Sequence, residues 1–205
     1  MNELKDTYNT IEKQYVGEIL KEKGSKFIAY AFPIKNETEV VKYIKQLKEE
    51  HHKARHWCYA WQLGTEKVRF RANDDGEPSN SAGQPIYGQI LSKEVTNILI
   101  VVVRYFGGTK LGVGGLISAY KTAAKYALDT SVIVEKTINL ELNISFEYKD
   151  LNKVLRIIKD NKVEIITQKM EYDCDFIISV RKNDFDKVKL ALENLRCVRF
   201  KKKNN

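Results

Sequence analysis

The stretch TNILIVVVRYFGGTKLGVGGLISAYKTAAKYALDT, residues 96–130, leaves the chain few ways to fold. Its first eleven residues are apolar almost without interruption, the pattern of a β-strand buried on both faces. Its last fifteen are alanine-rich and place Leu116, Ala119, Tyr120, Ala123 and Ala127 on one side, so they read as a helix packed by that side. Between them lie five glycines in nine positions, Gly107, Gly108, Gly112, Gly114 and Gly115. A covered strand that turns through glycine directly into a helix demands further strands and helices to cover it.

The rest of the chain supplies them. QYVGEILKEKG and SKFIAYAFPI read as a hairpin meeting at a Gly-Ser turn. NETEVVKYIKQLKEEH reads as a helix with Asn36 as N-cap and Glu39 completing a capping box. Val40, Val41, Ile44 and Leu47 form its core stripe. HWCYAWQLG and KVRFRA read as two more strands, turning near Gly64 and Thr65. NDDGEPSNSAGQPIYGQ is then a long punctuated connection, of a length that is usually functional or disordered when it carries no regular structure, and it reads as a functional loop.

After Thr130 the pattern is simpler. INLELNISFEY alternates as a strand, DLNKVLRIIKDN is a helix with Asp150 as N-cap, and VEIITQKMEYDCDFIISVR splits into two strands about Glu171 to Asp173. DFDKVKLALENL is a helix beginning at Asp184, and RCVRF is a final strand. The succession is βαββαβ, the ferredoxin-like split βαβ. A chain of 205 residues, 43% hydrophobic, can bury two cores, so the reading is an α+β protein with domains at 1–134 and 135–205.

Charge and cysteines narrow the function classes. The net charge of +8 is spread almost evenly over the two halves and ends in the basic tail KKKNN, which suits either an anionic partner such as RNA or a solvated surface. Three cysteines, Cys58, Cys174 and Cys197, are widely spaced, with no pair at zinc-binding spacing. Reduced thiols in a cytoplasm are expected. The longest apolar run, ILIVVV, is far short of the roughly 20 residues that span a bilayer, and no membrane partner is expected. Oligomeric state is left open.

The glycine loop is not a nucleotide signature. Val113 follows Gly112 where a Walker loop needs lysine, and Ile117 stands where a dinucleotide fingerprint needs its third glycine. Three readings stay open: a turn that only packs helix against sheet, a site for an anion or RNA phosphate, and a protein-binding surface. For the second, the candidates are Arg104, Gly107, Gly108, Lys110, Gly112, Gly114, Gly115 and Lys121, cations beside amides at a helix start. Asp74, Asp75 and Glu77 cluster around Gly76, either as a divalent-metal or acid/base site or as a turn stitched by carboxylate-to-backbone bonds. His52 and His56 have a metal-like spacing but lack the glutamate of H-E-x-x-H; the alternative is histidines at a helix end. No cofactor is indicated.

Four motifs in one order carry a family likeness: SKFIAYAF, HHKARHWCYAW, DDGEPSNSAGQPI and VVVRYFGGTKLGVGGLISAY. Residues 18–128 resemble the YigZ/IMPACT family. The resemblance implies a ribosomal-protein domain-2-like N-terminal domain and, as in the bacterial branch, a ferredoxin-like C-terminal domain, together similar to domains IV and V of elongation factor G. Eukaryotic members act as translational regulators, competing for a ribosome-associated co-activator of the amino-acid-starvation kinase. Some YigZ-like sequences carry a peptidase label, for which this sequence shows no metal or nucleophile motif. The chain departs from the family in placing Asn80-Ser81 where Gly-Thr is common. The expectation is a non-enzymatic RNA- or ribosome-associated factor, a candidate translation regulator; the alternatives are a hydrolase using the Asp74, Asp75 and Glu77 loop, and a protein-interaction module.

Overall fold

The computed structural model describes residues 6–201, which divide into two compact units: residues 8–136, and residues 6–7 together with 137–201. Lys202 and Lys203 of the basic tail lie outside the described residues.

In the first unit the chain runs β1 (Thr7–Ile11), β2 (Tyr15–Val16), β3 (Leu20–Glu22), β4 (Ser25–Pro33), α1 (Glu37–Glu50), β5 (His56–Leu63), β6 (Arg69–Asn73), α2 (Gly83–Ser92), β7 (Ile98–Tyr105), α3 (Gly112–Asp129) and β8 (Ile133–Thr137). The main sheet is antiparallel with order β2-β4-β7-β5-β6, β3 pairing beside β2 along β4. β7 lies at its centre and feeds both cores. Ile98, Ile100 and Val102 point to α2 and α3, where they meet Ile86, Ile90, Tyr120 and Ala123. Leu99, Val101 and Val103 point the other way, to Val40 and Leu47 of α1. This is the strand buried on both faces that its composition required.

Four local expectations are corrected. The hairpin turns at Lys23 and Gly24, both at positive φ, because Glu22 pairs with Ser25. Residues 73–89 are not one loop: α2 begins at Gly83, its alternation masked by glycine and proline. α3 begins at Gly112 rather than Leu116, so three of the five glycines belong to its first turn. Val41 is 68% exposed, since the stripe that meets the sheet is carried by Val40 and Leu47. Asn36 does cap α1, accepting from the Glu39 amide, while the Glu39 carboxylate accepts from the Lys35 amide. β1 and β8, which the sequence did not reveal, pair as a separate two-stranded sheet.

The second unit contains β9 (Asn139–Glu147), α4 (Leu151–Asp160), β10 (Glu164–Met170), β11 (Asp173–Arg181), α5 (Phe185–Glu193) and β12 (Arg199–Lys201). Its antiparallel sheet has the order β10-β11-β9-β12. Alternate residues of β9 and β11, among them Ile144, Phe146, Phe176 and Ile178, share one core with Val154 of α4 and Val188 of α5. Asp150 stands at the N-cap of α4, but its carboxylate makes no capping bond and accepts from Lys153 instead. Among the described residues no helix is long and apolar enough to cross a membrane.

Candidate functional site

Antiparallel pairing brings the functional candidates to one end of the first unit's sheet. β4 and β5 begin where β7 ends: Lys26 is opposite Tyr105, and Phe27 and His56 are both opposite Arg104. β6 runs toward the same end, its last residue Asn73 opposite Tyr59. The Lys23-Gly24 turn, residues 51–55, the acidic loop 74–82 and the glycine loop 106–111 therefore emerge together.

The acidic loop is stitched down by its own carboxylates. Asp74 accepts from the amides of Asn80 at 2.9 Å, Ala82 at 2.9 Å and Gly83 at 2.8 Å, placing negative charge at the start of α2. Asp75, in a left-handed conformation with φ of 41°, accepts from the Trp57 amide at 2.7 Å and faces Lys48 at 3.6 Å. Asn80 is also left-handed, φ 59°, a backbone state that asparagine tolerates better than most residues, which explains how it stands where glycine is common. Of the two readings of this loop, the geometry is that of the stitched turn. Among the described residues no group of three or more His, Cys, Asp or Glu is arranged to hold a metal ion.

Glu77 turns inward, and this revises the role of Arg104. The Arg104 Nη1 donates to Glu77 Oε1 at 2.5 Å, with both side chains 5% exposed. Tyr120 of α3 donates to the same oxygen at 2.7 Å, and His56 Nε2 lies 3.8 Å from it, its Nδ1 being 2.9 Å from the Asp75 carbonyl. Arg104 Nη2 donates to Ser25 Oγ at 3.4 Å, and the guanidinium lies between the rings of Phe27 and Phe106. Its Nε has no partner among the described residues. Arg104 is thus a buried tie between sheet, loop and α3, and its charge is spent on Glu77 rather than offered to an external phosphate. Cys58 lies 3.0 Å from the Asp74 carbonyl and 3.3 Å from the Tyr120 hydroxyl; burial pushes both its thiol and that hydroxyl well above their ordinary pKa values.

The glycines divide by position. At Gly107 a Cβ would overlap the backbone of Gly24 and Ser25, so the glycine loop and the β3–β4 turn touch main chain to main chain. Gly107 also donates its amide to Ser25 Oγ at 3.2 Å. Gly108 is exposed at φ 88°, and Gly112 and Gly114 face open space at the head of α3, while Gly115 lies over Leu111. α3 has no side-chain N-cap and no acidic residue in its first turn.

Six basic residues are exposed around this end. Lys21, Lys23, Lys26, Lys53, Arg55 and Lys110 are exposed, and none forms an ion pair with a described residue. Lys21 and Lys26 stand directly opposite each other across β3 and β4, a like-charge pairing that is destabilising in itself. Phe106, the residue after β7, is 47% exposed. Sequence reading missed five of the six, Lys110 excepted; Lys21, Lys23 and Lys26 were hidden because KEKGSK looks like any solvated turn until pairing places it against the glycine loop. It also missed Tyr120 and Ser25 as members of the buried network. Lys121 lies further along α3 on its exposed side.

The fold and the site define a class: a mixed α and β protein of two units, with a cationic loop cluster at the end of an antiparallel sheet. Residues 23–128 match the Impact N-terminal domain, and the chain belongs to the Impact family. It is 34% identical over 156 residues to the IMPACT family member YvyE of Bacillus subtilis (strain 168), covering 76% of this chain and 71% of that protein. It is 37% identical over 114 residues to the IMPACT family member YigZ of Escherichia coli (strain K12), covering 55% and 56%. A crystal structure of a hypothetical protein superimposes with a TM-score of 0.74 at 25% identity, covering 98% of this chain and 100% of that one.

Proposed function

We propose that the protein is a non-enzymatic, cytoplasmic factor that binds RNA or the ribosome through the cationic sheet end and acts in translation. One observation carries the reading: Asp74, Asp75 and Glu77 are engaged within the fold, while Lys21, Lys23, Lys26, Lys53, Arg55 and Lys110 form no ion pair with a described residue. A surface that keeps Lys21 opposite Lys26 accepts repulsion that an anionic partner would relieve. Family membership supports the place in translation, and three free cysteines suit a reducing compartment.

The same reading extends to the domains, taken as 1–134 and 135–205. The strand order β10-β11-β9-β12 in a βαββαβ succession supports a ferredoxin-like C-terminal domain, and the resemblance supports a ribosomal-protein domain-2-like fold before it. The hydrolase alternative is disfavoured by Asp74 and Glu77, whose acceptors are occupied by backbone amides, Arg104 and Tyr120.

The test is binding to purified ribosomes and to generic RNA across a salt series. Substituting Lys23, Lys26 and Lys110 together by alanine should weaken binding and flatten its salt dependence by about two to three charges. Arg104 is unsuitable for this test because its removal injures the fold. Absence of binding at low salt, or binding indifferent to the triple substitution, would overturn the proposal.

A further inference from the structure

Resting on that reading, we infer that the cationic sheet end takes single-stranded rather than duplex RNA, with Phe106 as the platform on which a base stacks. Phe106 is the first residue beyond β7 and stands 47% exposed. Nearly half of the residue is left in water, so burial within this fold uses only part of its apolar surface. It is nevertheless held. The guanidinium carbon of Arg104 lies 5.5 Å from its centroid, and Arg104 is itself fixed by Glu77 and Ser25. A cation therefore supports the ring, and nearly half of its surface faces outward.

The neighbours suit a base rather than a protein side chain or a duplex. Gly107 and Gly108 follow with no side chains to cover the ring, and a Cβ at Gly108 would meet nothing within 4 Å. Lys26 pairs with Tyr105, next to Phe106; Lys23 adjoins Gly24, whose backbone touches Gly107; Lys110 lies four residues beyond Phe106. Backbone-tracking cations around an exposed aromatic are the two components of single-strand recognition: the lysines take phosphates and the ring takes any base through its π-face. In a duplex the bases are stacked on one another, and the ring would go unused.

The experiment measures fluorescence anisotropy of the full chain with a labelled 12-nucleotide uridine RNA and a 12-base-pair RNA duplex over a salt series. The proteins compared are wild type, Phe106→Ala, Phe106→Tyr and the Lys23/Lys26/Lys110 triple alanine variant. Wild type should prefer the single strand. Phe106→Ala should lose about 5- to 150-fold of single-strand affinity, the worth of one stacked base. It should keep duplex affinity and an unchanged salt slope, because stacking releases no counterions. Phe106→Tyr should retain single-strand binding, and far-UV circular dichroism should show Phe106→Ala folded. Equal binding of both RNAs, or an unaffected Phe106→Ala, with lysine dependence intact, would overturn the stacking inference and leave phosphate binding standing. Failure of wild type to bind either RNA would overturn both.

Discussion

Arg104 and Glu77 are joined at the end of β7 by an ion pair 2.5 Å long in which neither side chain is more than 5% exposed. The pair ties the central strand to the acidic loop, and Tyr120 brings α3 to the same carboxylate. Charges this deep are tolerated because each has the other.

Removing one partner should therefore cost more than removing both. Arg104→Met or Glu77→Met alone should lower unfolding free energy by about 3–5 kcal/mol, since each strands a buried charge. The double variant should lose clearly less than the sum of the two. Urea unfolding of all four proteins decides it; single-variant losses below about 1 kcal/mol, typical of exposed pairs, would show that solvent reaches the pair.

The glycines should separate into structural and dispensable. Gly107→Ala forces a methyl into the backbone of Gly24 and Ser25 and should destabilise by about 1–3 kcal/mol or more. Gly114→Ala, at an open helical position, should be neutral or gain up to about 1 kcal/mol. Thermal melts of the two variants give the comparison, and equal losses would contradict the close approach at Gly107.

Alkaline stability should report Tyr30. Its hydroxyl lies 2.6 Å from His51 Nε2, with Tyr105 on the other ring nitrogen at 2.8 Å, and burial pushes its pKa up to about 12 from 10.0. The unfolded chain ionises first, so this contribution is fully present below about pH 10 and is lost between 10 and 12. Unfolding midpoints measured from pH 9 to 12 should fall more steeply for wild type than for Tyr30→Phe; parallel curves would remove Tyr30 as the cause.

Acid stability of the second unit should report Asp6. The hydrogen bond from Arg181 Nε, at 2.5 Å, holds its carboxyl below the usual aspartate pKa. A depressed folded pKa stabilises above the unfolded value of 3.8 and is lost as pH falls through the folded one. Asp6→Asn should be less stable than wild type at neutral pH and should lose less on acidification to pH 2. Unfolding followed at several pH values checks this, and an unchanged acid slope would refute it.

The elements most legible in the sequence were those whose pattern one segment carries. ILIVVV forecast a strand covered on both faces, and the alternation of Leu142, Ile144 and Phe146 forecast the second unit's sheet. Asn36 and Glu39 marked the start of α1 through hydrogen bonds that span four residues. Less legible were elements whose justification is remote. β1 and β8 pair across more than a hundred residues, and α2 hides behind glycine and proline because Asp74, nine residues before its first residue, supplies its cap.

The sequence by itself determined the two cores, the order of nearly all strands and helices, and the family, because hydrophobic period and local motifs are written in consecutive residues. Only the tertiary structure decided which charges are available. Arg104 and Lys110 look alike as letters beside a glycine loop, yet antiparallel pairing drops Arg104 onto Glu77 and leaves Lys110 in solvent. Whether a charge is spent inside or offered outside depends on what the fold sets within a few ångströms of it, since burial and a close partner decide the energy of a charge.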